Sequence, residues 1–264
     1  MRRLKFSELP MIQLSRGLRL SLVAGAFVGI GASVPLAAQD EYLNEEALYG
    51  EELEGTIEVY DPLESINRYT FQFNDFLIMN VVRPIANGYQ AVAPDPVEKA
   101  AGNFFDNLNY PVRLAGNLLQ GRLRGAWVET GRFAINSTVG IAGLFTPADN
   151  IEGFAAIPPE DIGQALGAWG VGEGPYLVIP VFGPSNLRDL GGLIGDRAVH
   201  PLDEPFSLID DWNWEWRLAL DATDFVVTSP ELVDRYLRLK GSAIDPYSSL
   251  KSSYTQFRRG VIAE

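Results

Sequence analysis

Gly170-Val-Gly-Glu-Gly174 has part of the glycine spacing of a loop that cradles phosphates through backbone N–H groups. It lacks the third glycine of a dinucleotide loop, and a Pro-containing apolar run follows where a helix should begin. Gly183-Pro-Ser-Asn-Leu187 departs from the nucleophile-elbow pattern at its last position, and neither a P-loop nor an H-E-x-x-H pair occurs. His200 lies beside Pro201 without a nucleophile nearby in sequence and reads as a loop or hydrogen-bonded histidine. Asp61, Asp95 and Asp245 each precede a proline, which explains them as helix caps rather than catalytic carboxylates. Arg188-Asp189 reads as a local ion pair. With no cysteine and one histidine, disulfides, thiolate metal sites and a His-based zinc site are not expected. The expectation is a protein that is not an enzyme and that carries no metal or cofactor.

The elements behind these residues centre on Gly167–Gly192. This stretch begins Gly-rich, turns almost wholly apolar from Pro175 to Phe182, and closes at Gly183-Pro184. Pro180 removes a backbone donor, arguing against a central strand or a helix interior. Gly167, Gly170, Gly172 and Gly174 permit positive φ. The expectation is a mobile apolar hairpin or loop, hinged at Gly170-Val-Gly172 and based on Leu187-Arg-Asp189.

The remainder reads as helical nearly throughout. Asp61-Pro-Leu-Glu64 carries a capping-box signature, followed at helical spacing by Ile66, Tyr69, Phe73, Phe76 and Leu77, with Pro84 ending or kinking the helix. Asp95-Pro-Val-Glu98 repeats the start. Further helices begin at Pro111, Arg122 and Ser229-Pro230, the last capped by Gly241. Leu123, Trp127, Thr130 and Ala134 share a face. From Trp212 to Val227 the pattern is apolar on two sides, with Trp212, Trp214 and Trp216 fitting either a buried helix or one at a membrane interface.

At the N-terminus, Arg2, Arg3, Lys5, Arg16 and Arg19 precede the apolar Leu20–Ala32 and the small residues Ala37-Ala38. Residues 1–38 read as an export signal, with a retained anchor as the alternative and Met1 or Met11 as the start. Residues 39–60 hold eight acidic side chains and no basic one, and read as a disordered tether. Residues 61–264 form the remaining domain. Losing the five basic and one acidic side chains of residues 1–38 takes the formal net charge from −13 to −17. Such a balance disfavours nucleic acid as a partner, because phosphate binding needs a basic surface.

Asp61-Pro-Leu-Glu-Ser-Ile-Asn-Arg68 with Phe71, Phe73 and Asn74, then Val82-Arg-Pro84, resembles the opening of the MlaA (VacJ) family. The likeness continues in Asn103-Phe104, Asn107-Leu108, Leu119-Gln-Gly121, Arg132-Phe133, Asn136 and Gly140-Ile-Ala-Gly143. It runs through Gly163-Gln-Ala-Leu-Gly167, Gly170-Val-Gly172, Gly174-Pro-Tyr176, Pro180, Gly183 and Leu187-Arg-Asp189 to Asp245-Pro-Tyr247, covering about residues 61 to 258 in order. The resemblance implies an all-α, doughnut-shaped bundle of amphipathic helices seated in the inner leaflet of the Gram-negative outer membrane. It implies an amphipathic channel, association with trimeric porins, and removal of misplaced outer-leaflet phospholipids to the periplasmic carrier MlaC, with no reaction catalysed. The family's channel-side hairpin falls on Gly170, Gly172, Gly174, Pro175, Tyr176, Pro180, Phe182 and Gly183. Arg132, Asn136 and Arg188 are candidates for a polar channel wall, because an unpaired charge is costly to bury.

Family members are lipoproteins with a cysteine after a lipobox, whereas Gln39 follows Leu36-Ala37-Ala38 here. The expectation is an unlipidated protein held at the membrane by its apolar belt and by porin. The alternative function is a structural scaffold of the outer membrane that associates with porins.

Overall fold

In the computed structural model, the structure describes residues 58–203 and 214–263. The export segment, most of the acidic tether and Trp212 lie outside the described residues. Helix α1 (Glu64–Leu77) passes through one π-helical turn (Ile78–Val82) into α2 (Arg83–Val92). Then come α3 (Asp95–Leu108), α4 (Tyr110–Leu119), α5 (Leu123–Thr138) and α6 (Ile162–Ala168). Strands β1 (Tyr176–Ile179) and β2 (Gly183–Asn186) precede α7 (Leu187–Val199), α8 (Trp214–Ser242) and α9 (Pro246–Ala263). Packing runs α3 on α4, α4 on α6, α6 on α9, α9 on α8 and α8 back on α3. That closed circuit is consistent with the ring-shaped helical bundle expected from the sequence.

Four sequence expectations about helix ends need correction; one is Asp95, which is the first residue of α3, with Pro94 at the N-cap and no side-chain cap. Leu63, not Asp61, occupies the N-cap of α1 and no side chain caps it. The Asp61 carboxylate instead accepts Asn67 Nδ2 at 2.8 Å, Lys251 Nζ at 3.0 Å and the Tyr247 hydroxyl. Glu64 turns outward to Arg68 at 2.7 Å, so the capping box does not form. Likewise Ser229-Pro230 does not restart a helix, because α8 runs through Pro230. Proline cannot donate to the carbonyl four residues back, and here Ser229 Oγ donates to Val226 O at 2.8 Å instead. Gly241 lies within this helix and is not its left-handed cap. Asp245 does cap α9, accepting Tyr247 N at 3.2 Å and Ser248 Oγ at 2.7 Å.

Pro84 sits at the second position of α2, just past the π turn. The wider turn carries the chain past the missing donor without ending the helical path.

The amphipathic pattern was read correctly as helical, but its two faces are exchanged relative to a water-soluble bundle. On α1 the apolar stripe Ile66, Tyr69, Phe73 and Phe76 is 61%, 76%, 45% and 59% exposed, while Asn67, Thr70 and Asn74 are buried. On α5, Leu123 and Trp127 are exposed while Glu129 and Asn136 are buried. Among the described residues, seventeen polar or charged side chains are buried against fifteen apolar ones. The apolar cores are correspondingly small. One joins Ile78, Val82 and Ala86 to Phe225 and Val233 of α8; the other joins Tyr176 and Val178 to Tyr247. None of the described helices is long and apolar enough to cross a membrane.

Candidate functional site: the asparagine-held hairpin

Tyr176 pairs with Asn186, Leu177 with Ser185, Val178 with Pro184 and Ile179 with Gly183 in an antiparallel hairpin. Of the expected hairpin or loop, the hairpin is what forms, and its two short strands are the only ones among the described residues. Pro180 falls in the connection, where a missing N–H breaks no ladder bond. Val181 follows at φ 72°, a left-handed conformation strained for a β-branched residue, and Gly183 at φ 86°.

The outer edge of β1 is paired by side chains of α1. Asn67 donates to Tyr176 O at 3.0 Å and accepts Val178 N at 2.9 Å, reproducing the two bonds that a neighbouring strand would make. One helical heptad along, Asn74 donates to Ile179 O at 2.9 Å and accepts Val181 N at 2.7 Å. Upstream, Tyr60 O accepts Tyr176 N at 2.9 Å. A carboxamide offers one acceptor and two donors on one plane, so each asparagine satisfies both sides of a peptide edge. These two residues occur in the resembling motif, but sequence reasoning gave them no role. The available signal was the polar stripe Asn67, Thr70, Asn74 at helical spacing opposite the apolar one.

The glycines divide into different tasks. Gly170 (φ 87°) is the left-handed cap of α6: its N–H bonds Gly167 O at 2.8 Å and Val171 N bonds Leu166 O at 3.0 Å, a Schellman pattern. Gly172 does not use positive φ and has open space where a Cβ would sit. The expected Gly170-Val-Gly172 hinge therefore begins as a helix terminator. Gly174 (φ 69°) places Leu187 Cβ 3.0 Å from its own would-be Cβ, and half-buried Pro175 leads into β1. At the far end, Phe182 packs under the Arg197 guanidinium, 5.3 Å from the ring centre.

Below the hairpin lies a buried ionic cluster. Arg258 of α9 donates Nε to Asp189 at 2.9 Å, Nη1 to Asp161 at 2.6 Å, and Nη2 to both at 3.0 Å. Tyr254 donates to Asp189 at 2.7 Å and Arg188 Nε to the same carboxylate at 2.9 Å. Burial works to raise the Asp189 pKa, but Arg258 and Arg188 prevail and hold it below the usual carboxylate range. The expected Arg188-Asp189 ion pair is thus present at the hairpin base. Asp161 caps α6 through Gln164 N at 2.6 Å, and Asn186 caps α7 through Asp189 N at 2.8 Å. Gly163 and Gly192 bring the two helices into backbone contact: a Cβ on Gly192 would lie 2.4 Å from Gly163 Cα.

The three wall candidates separate. Arg132 holds Asp149 and Phe154 O, each at 2.7 Å, and Asn136 accepts Ala148 N at 3.1 Å. Both therefore secure the segment after α5. Arg188 belongs to the hairpin-base cluster instead. Its Nη2 is buried without a partner among the described residues. His200 ends α7, its Nδ1 accepting Leu202 N at 3.4 Å, and burial lowers its pKa. Neither His200 nor the hairpin presents a nucleophile–base pair, and the described residues contain no group of side chains fit to hold a metal ion.

This chain matches the family model described as MlaA lipoprotein over residues 59–260. The protein of Shigella flexneri named intermembrane phospholipid transport system lipoprotein MlaA is 31% identical over 203 residues, 74% of this chain and 76% of that one. An uncharacterized protein of Rickettsia prowazekii is 32% identical over 215 residues, 79% and 80% of the two chains. A solved chain reported as the structural basis for maintenance of bacterial outer membrane lipid asymmetry superposes with a TM-score of 0.62. It is 31% identical, covering 76% of this chain and 98% of that one. On the extent of these matches, the chain belongs to the MlaA lipoprotein family.

Proposed function

We propose that this chain is the outer-membrane component of an intermembrane phospholipid transport system, maintaining lipid asymmetry by withdrawing mislocalised phospholipid from the outer leaflet. The lipid passes through the polar interior of the ring to a periplasmic carrier of the MlaC kind, and porin trimers hold the ring in place. The observation that carries this reading is the exchange of faces. Apolar side chains are exposed on α1 and α5, while asparagines and ion-paired groups are buried between the helices. An acyl chain can run along such an exterior while a charged headgroup finds partners within. Arg132, Asn136 and Arg188 are the residues we assign to that polar interior, with Gly170, Gly172, Gly174, Pro175, Tyr176, Pro180, Phe182 and Gly183 forming the channel-side hairpin.

No residue of the sequence can take a thioether-linked lipid, since cysteine is absent. Retention then rests on the exposed apolar side chains. Burying six of them, on α1 and at Leu123 and Trp127, is worth on the order of 10 kcal/mol, comparable with the transfer of a single myristoyl chain. Intact-mass measurement of the mature protein tests this point; an added diacylglyceryl mass refutes it. The transport role is tested by deleting the gene in its own host and labelling outer-leaflet phospholipid with a membrane-impermeant amine reagent. Labelling should rise on deletion and fall on complementation, with phospholipid co-purifying with the protein. Unchanged labelling and a lipid-free protein would favour a porin scaffold instead.

A further inference from the structure

Three carboxylates surround Arg258, and only two of them receive it. Asp161 and Asp189 take four hydrogen bonds from it between them. Asp196, one turn along α7 from Gly192, has a single described hydrogen bond, from Ile162 N at 2.9 Å. The close Gly163–Gly192 contact fixes that carboxyl against the first turn of α6. It also lines a cavity of about 40 Å³ together with Ile179, Phe182, Pro184 and Ser185 of the hairpin. Such a volume has room for two or three waters.

We propose that Asp196 is a proton-operated latch on the hairpin. With the carboxyl neutral, no unpaired charge faces the hairpin, which stays packed on α7. With the carboxylate charged, water enters beside Ile179 and Phe182 and the hairpin loosens. The inference concerns the hairpin's packing and holds whatever the chain transports.

Burial and two neighbouring carboxylates favour the neutral acid, while the Ile162 N–H and the Arg258 guanidinium oppose it. From α6 come the Asp161 charge and, opposing it, the Ile162 N–H; from α7 comes Asp189, its charge shared with Arg188; from α9 come Arg258 and the neutral Tyr254 hydroxyl. The hairpin contributes no titratable side chain to the cavity. Helix α4 also packs on α7, but its buried Arg113 is committed to Asp106 and Glu129. Burial foremost, then Asp161, pushes the Asp196 pKa up to about 7. Its carboxyl accordingly changes charge near neutral pH. Because the folded value is raised, the acid stabilises the packed state fully below about 4 and loses that contribution as pH rises through about 7.

The test is hydrogen exchange of the purified full chain in detergent at pH 5.5 and 8, corrected for intrinsic exchange. Wild-type protection at Ile162 and at the hairpin amides of Ile179 and Gly183 should fall at least about tenfold at the higher pH, one pKa unit of coupling. Asp196→Asn keeps the acceptor for Ile162 N and should stay protected at both. A variant with wild-type pH dependence overturns the latch. So does a wild-type Asp196 carboxyl whose NMR titration midpoint lies below pH 5, a measurement that needs no variant.

Discussion

Replacing Asn67 by alanine removes both side-chain bonds to the β1 edge and the one to Asp61. Val178 N–H and Tyr176 O are then left in a site where Asn67 itself is only 2% exposed. An unsatisfied buried backbone group costs about 1–3 kcal/mol, so the pair costs roughly 3–4. Alanine's better helix propensity returns about 0.5 kcal/mol. The net loss of about 3 kcal/mol corresponds to a melting shift of roughly 6–12 °C in a body of this size. Thermal melting of the purified chain, with hydrogen exchange at Val178, measures both parts. Asn67→Asp refines the point, because it keeps the acceptor for Val178 N but loses the donor and faces Asp61. It should be at least as damaging as alanine at pH 7 and recover on acidification. If Asn67→Ala melts within 2 °C of wild type and Val178 stays protected, the asparagine does not hold the hairpin.

Gly192→Ala should destabilise by about 1–3 kcal/mol, since its Cβ meets Gly163 backbone, whereas Gly172→Ala should lie within about 0.5 kcal/mol of wild type; denaturant melts separate the two. Gly170→Val should cost about 1–3 kcal/mol through its φ of 87°, and equal behaviour of Gly170→Val and Gly172→Val would contradict the cap assignment. Val181→Gly should raise stability by about 1 kcal/mol, relief of φ strain exceeding the entropy of glycine, while Asn74 keeps its bond to the backbone N–H. Asp245 is held near a pKa of about 2, chiefly by Arg68 and then Ser248. Its contribution is therefore present above pH 4 and lost as pH falls from about 4 to 2. Acid titration monitored by circular dichroism should show this limb weakened in Asp245→Asn and by added salt.

Helix existence and type were legible because 3.6-residue periodicity is a local property, and Pro96, Pro111 and Pro246 mark true helix starts. Which face points inward was not legible, since periodicity is the same whether the apolar stripe meets a core or a lipid. Asp61 was misread because Asp-Pro fits a cap locally, while the partner that wins, Tyr247, lies 186 residues away. Asp245 has the same local signature and does cap. At Gly170, positive φ was anticipated, but its purpose depended on where α6 ended. Pro180 correctly excluded a central strand position; the strand beside it was hidden because its pairing edge is supplied by side chains of a helix. Arg188-Asp189 was readable as a pair, yet Arg258, which organises that cluster, gave no sequence signal.

The bond from Asp61 to Tyr247, with Lys251 beside it, has a consequence for the order in which the molecule assembles. Arg68 closes the same seam onto Asp245 across 177 residues. Joining ends that far apart costs roughly 4–5 kcal/mol of chain entropy before any contact repays it. Synthesis delivers α1 well before α9, so the first helix waits for the intervening chain before its anchor arrives. Closing the seam is accordingly a non-local event, and a chain truncated before Pro246 lacks the partners that close it, making the docking of the eighteen-residue α9 the step that commits the molecule to its shape.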